Sequence, residues 1–345
     1  MKAHFAVPGD LNTPTGGYAY ARRVLAEIGA FGVDLAPIAL PEGFPDAPGG
    51  AIDNALTRLT KIPVQEPILL DGLAGGALPG TDLAAVSAPV VMLCHHPLAL
   101  ETGLPTSYAT RLKARERAAL AACDHVIATS RTTADILVAD YGVSEDRLTV
   151  ARPGTDPAPR ARGSTDLALR LLSVGSLTPR KGHDHLITAL AKLADGPLAW
   201  TLRIVGAPLD KTYATKLAKQ IETAGLSDRV ALLGALDAAA LDAEYARADL
   251  FVLASHYEGF GMAFTEAVAR GLPVLGIDCA AVAEATLGAA LLTPPEDFAR
   301  ELRSLMRDTD RRADLADKSR RTASKLPRWS ETAKIIAQVL QEARP

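Results

Sequence analysis

Short apolar runs alternate with stretches of helical periodicity along the whole chain, the sequence form of a parallel sheet wound with helices. In the first half the runs fall at residues 3–7, 33–40, 67–70, 89–94, 125–128 and 148–151. In the second half they fall at 171–174, 201–205, 230–233, 250–253, 273–277 and 290–292. Between them apolar residues recur at helical spacing, as Ala21, Val24, Leu25 and Ile28 do after the first run and Leu186, Leu190 and Leu193 after the seventh. The pattern predicts two doubly wound, Rossmann-like α/β domains. Residues 153–164 (PGTDPAPRARGS) interrupt it with Pro, Gly and small polar residues and read as the linker.

At 345 residues the chain exceeds one ordinary domain, which agrees with two. It is 48% hydrophobic but only 5% aromatic, so Ala, Leu and Val carry the core, as helices covering parallel sheets require. A net charge of −3 without a long basic run gives no general attraction to nucleic acid. Cys94, Cys123 and Cys279 are too far apart for a Cys-x-x-Cys metal site and odd in number, so they read as buried thiols in a reducing cytoplasm. The N-terminus enters a strand directly and no stretch approaches the length of an apolar span, so neither a secretion signal nor a membrane helix is expected.

The densest chemistry lies in residues 256–276, HYEGFGMAFTEAVARGLPVLG. Glu258 and Glu266, with seven residues between them, sit where a loop after an apolar strand becomes a helix. Gly259 and Gly261 let backbone approach a ligand closely, and the helix start directs N–H groups and partial positive charge outward, which suits a diphosphate. The carboxylates accept hydrogen bonds from hydroxyls. The plain alternative is a solvated helix start with incidental acids.

This block resembles the E-x(7)-E element of the retaining GT-B glycosyltransferases of family 4, the glycosyl transferases group 1. The resemblance implies two Rossmann-like domains facing a central cleft. Residues 1–157, completed by 327–345, form the acceptor-side domain, and residues 158–326 bind a nucleotide diphosphate sugar. Trp329 and a helix at 331–341 resemble the segment that crosses back onto the first domain. By the same resemblance Glu258 contacts hydroxyls of the transferred sugar, Glu266 holds the ribose, and Gly259, Phe260, Gly261, Met262 and Ala263 line the donor, the last two through backbone amides.

Residues 173–183, SVGSLTPRKGH, follow a strand and open a helix but lack the G-x(4)-G-K-[ST] of a phosphate loop, which argues against a magnesium-dependent nucleotide hydrolase. What remains is the cation pair Arg180-Lys181, suited to charge growing on a departing diphosphate. A merely solvated pair is the alternative. In the family an Arg follows the Gly of this loop; here Ser176 stands there, Lys181 fits the family's Lys, and Arg180 is the candidate replacement.

Gly16 and Gly17 make a tight turn before the first helix and match the family's glycine-rich loop facing the donor or the acceptor. A turn without ligand is the other reading. Asp10, Asn12 and Thr15 are weaker candidates there. The pattern is not G-x-G-x-x-G, which disfavours a nicotinamide enzyme. His95 and His96 close a strand at the end where open α/β sheets bind ligands. They read as sugar contacts, with His95 in the better register, or as structural histidines; a metal pair lacks a third ligand of clear spacing. Glu101 follows in the same loop. Ser130 reads as a helix N-cap beside Arg131, and residues 152–156 resemble the family's turn before the hinge. Residues 110–122 set Arg111, Lys113, Arg115 and Arg117 against Glu116 alone, a solvated helix or a face for anionic lipid.

The resulting expectation is an enzyme that moves a hexose from a nucleotide sugar to an acceptor hydroxyl with retention, in polysaccharide, glycolipid or other glycoconjugate synthesis. No metal or cofactor is expected. The acceptor is saccharide or lipid-linked, and the enzyme is cytoplasmic or peripheral at the inner membrane face. The alternatives are a GT-B epimerase, a phosphorolytic enzyme, or a non-catalytic sugar-nucleotide binder.

Overall fold

A computed structural model of the chain describes residues 1–165, 168–194 and 196–343. Among these residues twelve strands form two parallel six-stranded sheets. The chain divides into a first unit, Met1–Gly154 with the residues from Pro327 onward, and a second, Thr155–Leu326.

In the first unit β1 (Lys2–Pro8), β2 (Asp34–Leu40), β3 (Ile68–Asp71), β4 (Val90–Cys94), β5 (His125–Ala128) and β6 (Leu148–Val150) lie in the order β2-β1-β3-β4-β5-β6. In the second, β7 (Leu169–Val174), β8 (Trp200–Val205), β9 (Val230–Leu232), β10 (Leu250–Leu253), β11 (Val274–Ile277) and β12 (Leu291–Thr293) lie in the order β12-β11-β10-β7-β8-β9. Every expected apolar run is a strand, shifted at most two residues at an end. The runs are apolar throughout because alternate side chains are buried on opposite faces. Leu171, Leu202, Ile204 and Val252 enter one core of the second unit, Leu172, Phe251 and Leu253 the other.

The strand order creates the site. The chain winds outward from β7 through β8 to β9, then returns to the other side of β7 as β10, which pairs Leu250 with Leu171 and Phe251 with Leu172. The loops leaving β7 and β10 therefore diverge from neighbouring strand ends, the switch point at which such sheets bind ligands. The first unit repeats this at β1 and β3, where His4 pairs with Ile68.

The crossing between units comes three residues before the expected one. A Cβ on Gly154 would lie 2.2 Å from the Trp329 nitrogen, so Gly154 packs with the first unit. The next residue belongs to the second, Thr155 Oγ1 bonding Thr265 Oγ1 at 3.0 Å. Nor is the expected linker loose: Ala161 N donates to Arg270 O at 2.9 Å and Arg162 N to Ala246 O at 2.8 Å. The final helix runs Trp329–Glu342, its Trp329 edge-on to Tyr20 at 5.5 Å; residues 344 and 345 of the expected segment lie outside the described residues. Cys94 and Cys123 are buried, whereas Cys279 is only partly so, since it sits at the exposed start of the Ala280–Ala285 helix. Among the described residues no helix is long and apolar enough to cross a membrane.

Candidate functional site

Two glycines let the loops of the second unit converge. Gly182, at φ +61°, lies so close to β10 that a Cβ would fall 1.9 Å from the Ala254 carbonyl oxygen. Gly261, at φ +101°, turns the other loop into the Met262–Ala269 helix. Any side chain at Gly182 would push Lys181 away from the strand end.

One backbone and one side-chain bond join the loops: His256 N donates to Arg180 O at 2.8 Å and the guanidinium Nη1 of Arg180 to Tyr257 O at 2.9 Å. Lys181 Nζ then meets Glu258 Oε1 at 2.7 Å, Arg180 Nη1 lies 3.4 Å from Oε2, and Ser255 Oγ donates to Oε1 at 2.6 Å. Burial of Glu258, 5% exposed, raises its pKa, but the two cations and the bonds from Lys181 and Ser255 win and bring it down to about 2. Two cations meet on one carboxylate beside the outward N–H groups of a helix start, an arrangement suited to an anion. Beneath them His183, fully buried, faces the Gly175 carbonyl through Nε2 at 3.2 Å and Ser173 Oγ through Nδ1 at 3.4 Å. Burial holds its pKa near 4, so it is neutral at physiological pH and fixes the loop as a donor.

Glu266 lies one turn into the helix in a different setting. Its Oε2 accepts from the Tyr245 hydroxyl at 2.9 Å, and Arg270, stacked on the Tyr245 ring at 4.4 Å, donates to the Glu266 carbonyl at 3.0 Å. Burial raises the Glu266 pKa, with Tyr245 and Arg270 opposing. Phe260 is buried; Ser176, Met262 and Ala263 are partly exposed, and the Ser176 carbonyl accepts from Thr178 N at 2.9 Å. The second unit thus gathers Arg180, Lys181 and Glu258 into one cluster and sets Glu266 apart.

His95, His96, Gly16 and Gly17 belong to the first unit. Thr15 caps the Gly16–Glu27 helix, and Gly17 packs against His95, since a Cβ there would lie 3.5 Å from the ring. His95 Nε2 stands 3.4 Å from Asp71 Oδ2, and the ring is edge-on to Tyr20. His96 Nε2 lies 3.5 Å from Glu101 Oε2. Asp10 accepts from the main chain and side chain of Asn12, closing its own turn. Ser130 caps the Arg131–Tyr141 helix. Among the described residues no group of three or more His, Cys, Asp or Glu could hold a metal ion.

Ser255, Tyr245, His183, Arg270 and Asp71 escaped sequence reasoning. Ser255 was detectable as a hydroxyl three residues before Glu258, Arg270 as a cation four residues after Glu266 and His183 as the end of the 173–183 loop; Tyr245 and Asp71 meet their partners from more distant segments.

Residues 160–322 match the model of the glycosyl transferases group 1, and residues 72–159 that of glycosyltransferase family 4. The chain belongs to the group 1 glycosyltransferases. It is 32% identical over 169 residues to mannosylfructose-phosphate synthase of Agrobacterium fabrum, covering 44% of this chain and 37% of that protein. It is also 32% identical over 258 residues to a D-inositol 3-phosphate glycosyltransferase of Salinispora tropica, covering 66% of this chain and 53% of the relative. The chain spans about half the length of the curated relatives it matches. The sucrose-phosphate synthase of Thermosynechococcus elongatus shares the fold with a TM-score of 0.78 at 20% identity, covering 99% of this chain and 98% of that one. Anabaena HepE, solved in complex with UDP and glucose, has a TM-score of 0.76 at 20% identity over 99% and 100%. The fold of this group 1 glycosyltransferase is GT-B.

Proposed function

We propose that the chain transfers a hexose from a nucleoside diphosphate sugar to an acceptor hydroxyl with retention of anomeric configuration. The observation that carries this is the clustering of Lys181, Arg180 and Glu258 at the switch point between β7 and β10. Lys181 and Arg180 face the diphosphate and stabilise the charge that grows as the sugar–phosphate bond breaks, with Arg180 standing in for the arginine that Ser176 replaces. Glu258 accepts from sugar hydroxyls and Glu266 from the ribose. The leaving phosphate itself takes the acceptor's proton, on the same face of the sugar, so no separate protein base is required. No divalent metal takes part, because the cationic work falls to Lys181, Arg180 and the helix start.

The acceptor binds the first unit. A cavity of 230 Å³ outside the ends of β1 and β2 is lined by Asp10, Thr13, Tyr18, Glu42 and Phe44 among others, and none of its lining residues is Lys or Arg. Carboxylates beside an aromatic face suit an uncharged polyol and repel a phosphorylated one. His95, whose Nε2 lies 3.4 Å from Asp71 Oδ2 without a hydrogen-bond partner among the described residues, is the proposed hydroxyl contact in the same unit. On the Thr106–Ala122 helix Arg111, Arg115 and Arg117 face solvent while Glu116 turns inward, which supports a cytoplasmic enzyme resting on an anionic membrane surface.

Incubation with a panel of nucleotide sugars and saccharide acceptors, followed by NMR of the product's anomeric proton, tests the reading. The expected product keeps the donor's configuration and forms in the presence of EDTA. An inverted product, or activity that chelation abolishes and a metal restores, would contradict it. Conversion or phosphorolysis of the donor without transfer would favour the epimerase or phosphorolytic alternative, and binding without turnover the non-catalytic one.

A further inference from the structure

The starts of β7, β8 and β9 lie at the opposite end of the second sheet from Lys181, separated from the switch point by the length of the strands, roughly 17 Å for β7. A cavity of 320 Å³ opens there. Four arginines line it, Arg170, Arg203, Arg229 and Arg247, against two acids, Asp228 and Glu244. Glu244 is committed to Arg203, which grips it through Nε at 3.2 Å and Nη2 at 3.3 Å. The guanidinium of Arg229 lies over the Trp200 ring at 5.2 Å from its centre. Among the described residues Arg229 Nη1, a donor of the lining, is buried without a hydrogen-bond partner; the indole Nε1 of Trp200, a core residue only 2% exposed that is not part of the lining, is likewise unmet. Leaving the Arg229 donor buried and unmet is costly, and an anion in this arginine-lined cavity would supply its acceptor. We infer that this cavity at the start of β7, β8 and β9 is a second anion site, separate from the transfer site, which takes a phosphoryl group.

The chemistry of the lining fixes the ligand class. Guanidinium groups match the oxygens of phosphate or carboxylate by paired N–H bonds, and a phosphoryl group offers three acceptor oxygens with a charge near −2. A cavity this size sits at the small end of ligand pockets, large enough for inorganic phosphate or a hexose phosphate and too small for a nucleoside diphosphate sugar. Arg229, stacked and partly buried, is the anchor, and exposed Arg247 forms the rim.

Thermal unfolding of the full chain tests this, with inorganic phosphate and glucose 6-phosphate as probes at constant ionic strength. Each should raise the midpoint of the wild type saturably, and Lys181→Ala should keep that rise, because the transfer site is elsewhere. Arg229→Gln should weaken the probes roughly tenfold to a hundredfold, the loss expected for a hydrogen bond to a charged group. Arg247→Gln, on the rim, guards against a folding defect in the first variant and should weaken them as well. A response to glucose 6-phosphate at lower concentration than to phosphate marks an esterified ligand; equal responses mark the free oxyanion. No saturable rise, a rise unchanged in both arginine variants, or a rise lost in Lys181→Ala would overturn the site.

Discussion

Glu258 and Glu116 are both buried carboxylates, 5% and 1% exposed, yet they titrate on opposite sides of neutrality. Glu258 meets Lys181, Arg180 and Ser255 and is held near 2. Glu116 meets no cation among the bonds that hold it: both its oxygens accept from the Leu98 amide, at 2.9 and 3.2 Å, and burial pushes it up to about 8. Burial alone thus decides neither the charge nor the role of an acid; the partners do. Glu116 fastens the loop after β4 to the Thr106–Ala122 helix. Glu258 keeps two cations poised at a strand switch point, a buried charged cluster of the kind found at ligand sites.

The largest expected effect breaks the Glu258 side of this contrast. Lys181→Ala should lower the turnover number about 100- to 1000-fold while changing donor affinity much less, because the ammonium is needed most as charge builds on the leaving group. Steady-state kinetics that showed only a raised donor KM would reduce Lys181 to a ground-state contact. Arg180→Ala should cost less, and a near-normal rate would show that Ser176 leaves the family's arginine unreplaced.

Next in size is pH dependence, where the two acids act in opposite directions. The folded pKa of Glu258 is depressed, so its contribution is present above pH 4.5 and is lost as pH falls toward 2, by about 3 kcal/mol. The folded pKa of Glu116 is raised, so its contribution is complete below pH 4.5 and declines as pH rises toward 8, by about 3 kcal/mol at pH 7. Urea titrations across pH should therefore show Glu116→Gln flattening the fall in stability between pH 5 and 8, and Glu258→Gln flattening the fall below pH 4.5. An unchanged alkaline slope in Glu116→Gln would mean that its carboxyl is charged in the folded state.

The same pair shows what the sequence could and could not carry. The central strands were legible because a parallel strand buried on both faces has to be a continuous apolar run, and the edge strands, such as the largely exposed β2, because they too are runs of mostly apolar residues. Glu258 and Lys181 were legible because both sit in short motifs beside glycines that only a close backbone approach explains. Glu116 was misread as the lone surface counter-ion of a basic helix. Its place four residues after Leu112 and three and four before Ala119 and Leu120 put it on the apolar face, a signal the charge count obscured. The crossing point at Gly154 depended on Trp329, and the Tyr245 hydroxyl on Glu266, contacts made only when distant segments fold together.

Smaller effects separate Glu258 from Glu266, and they bear most directly on the donor site. Calorimetry should compare free nucleotide with nucleotide sugar in three variants. Glu266→Ala should weaken both ligands alike, roughly tenfold, since a ribose hydroxyl would lose its acceptor. Tyr245→Phe, which removes only the hydroxyl orienting that carboxylate, should do the same to a lesser degree. Glu258→Ala should leave the free nucleotide bound as in the wild type and weaken the nucleotide sugar alone. Equal losses for both ligands in Glu258→Ala, or free nucleotide unaffected by Glu266→Ala, would contradict the division of the donor between the two glutamates.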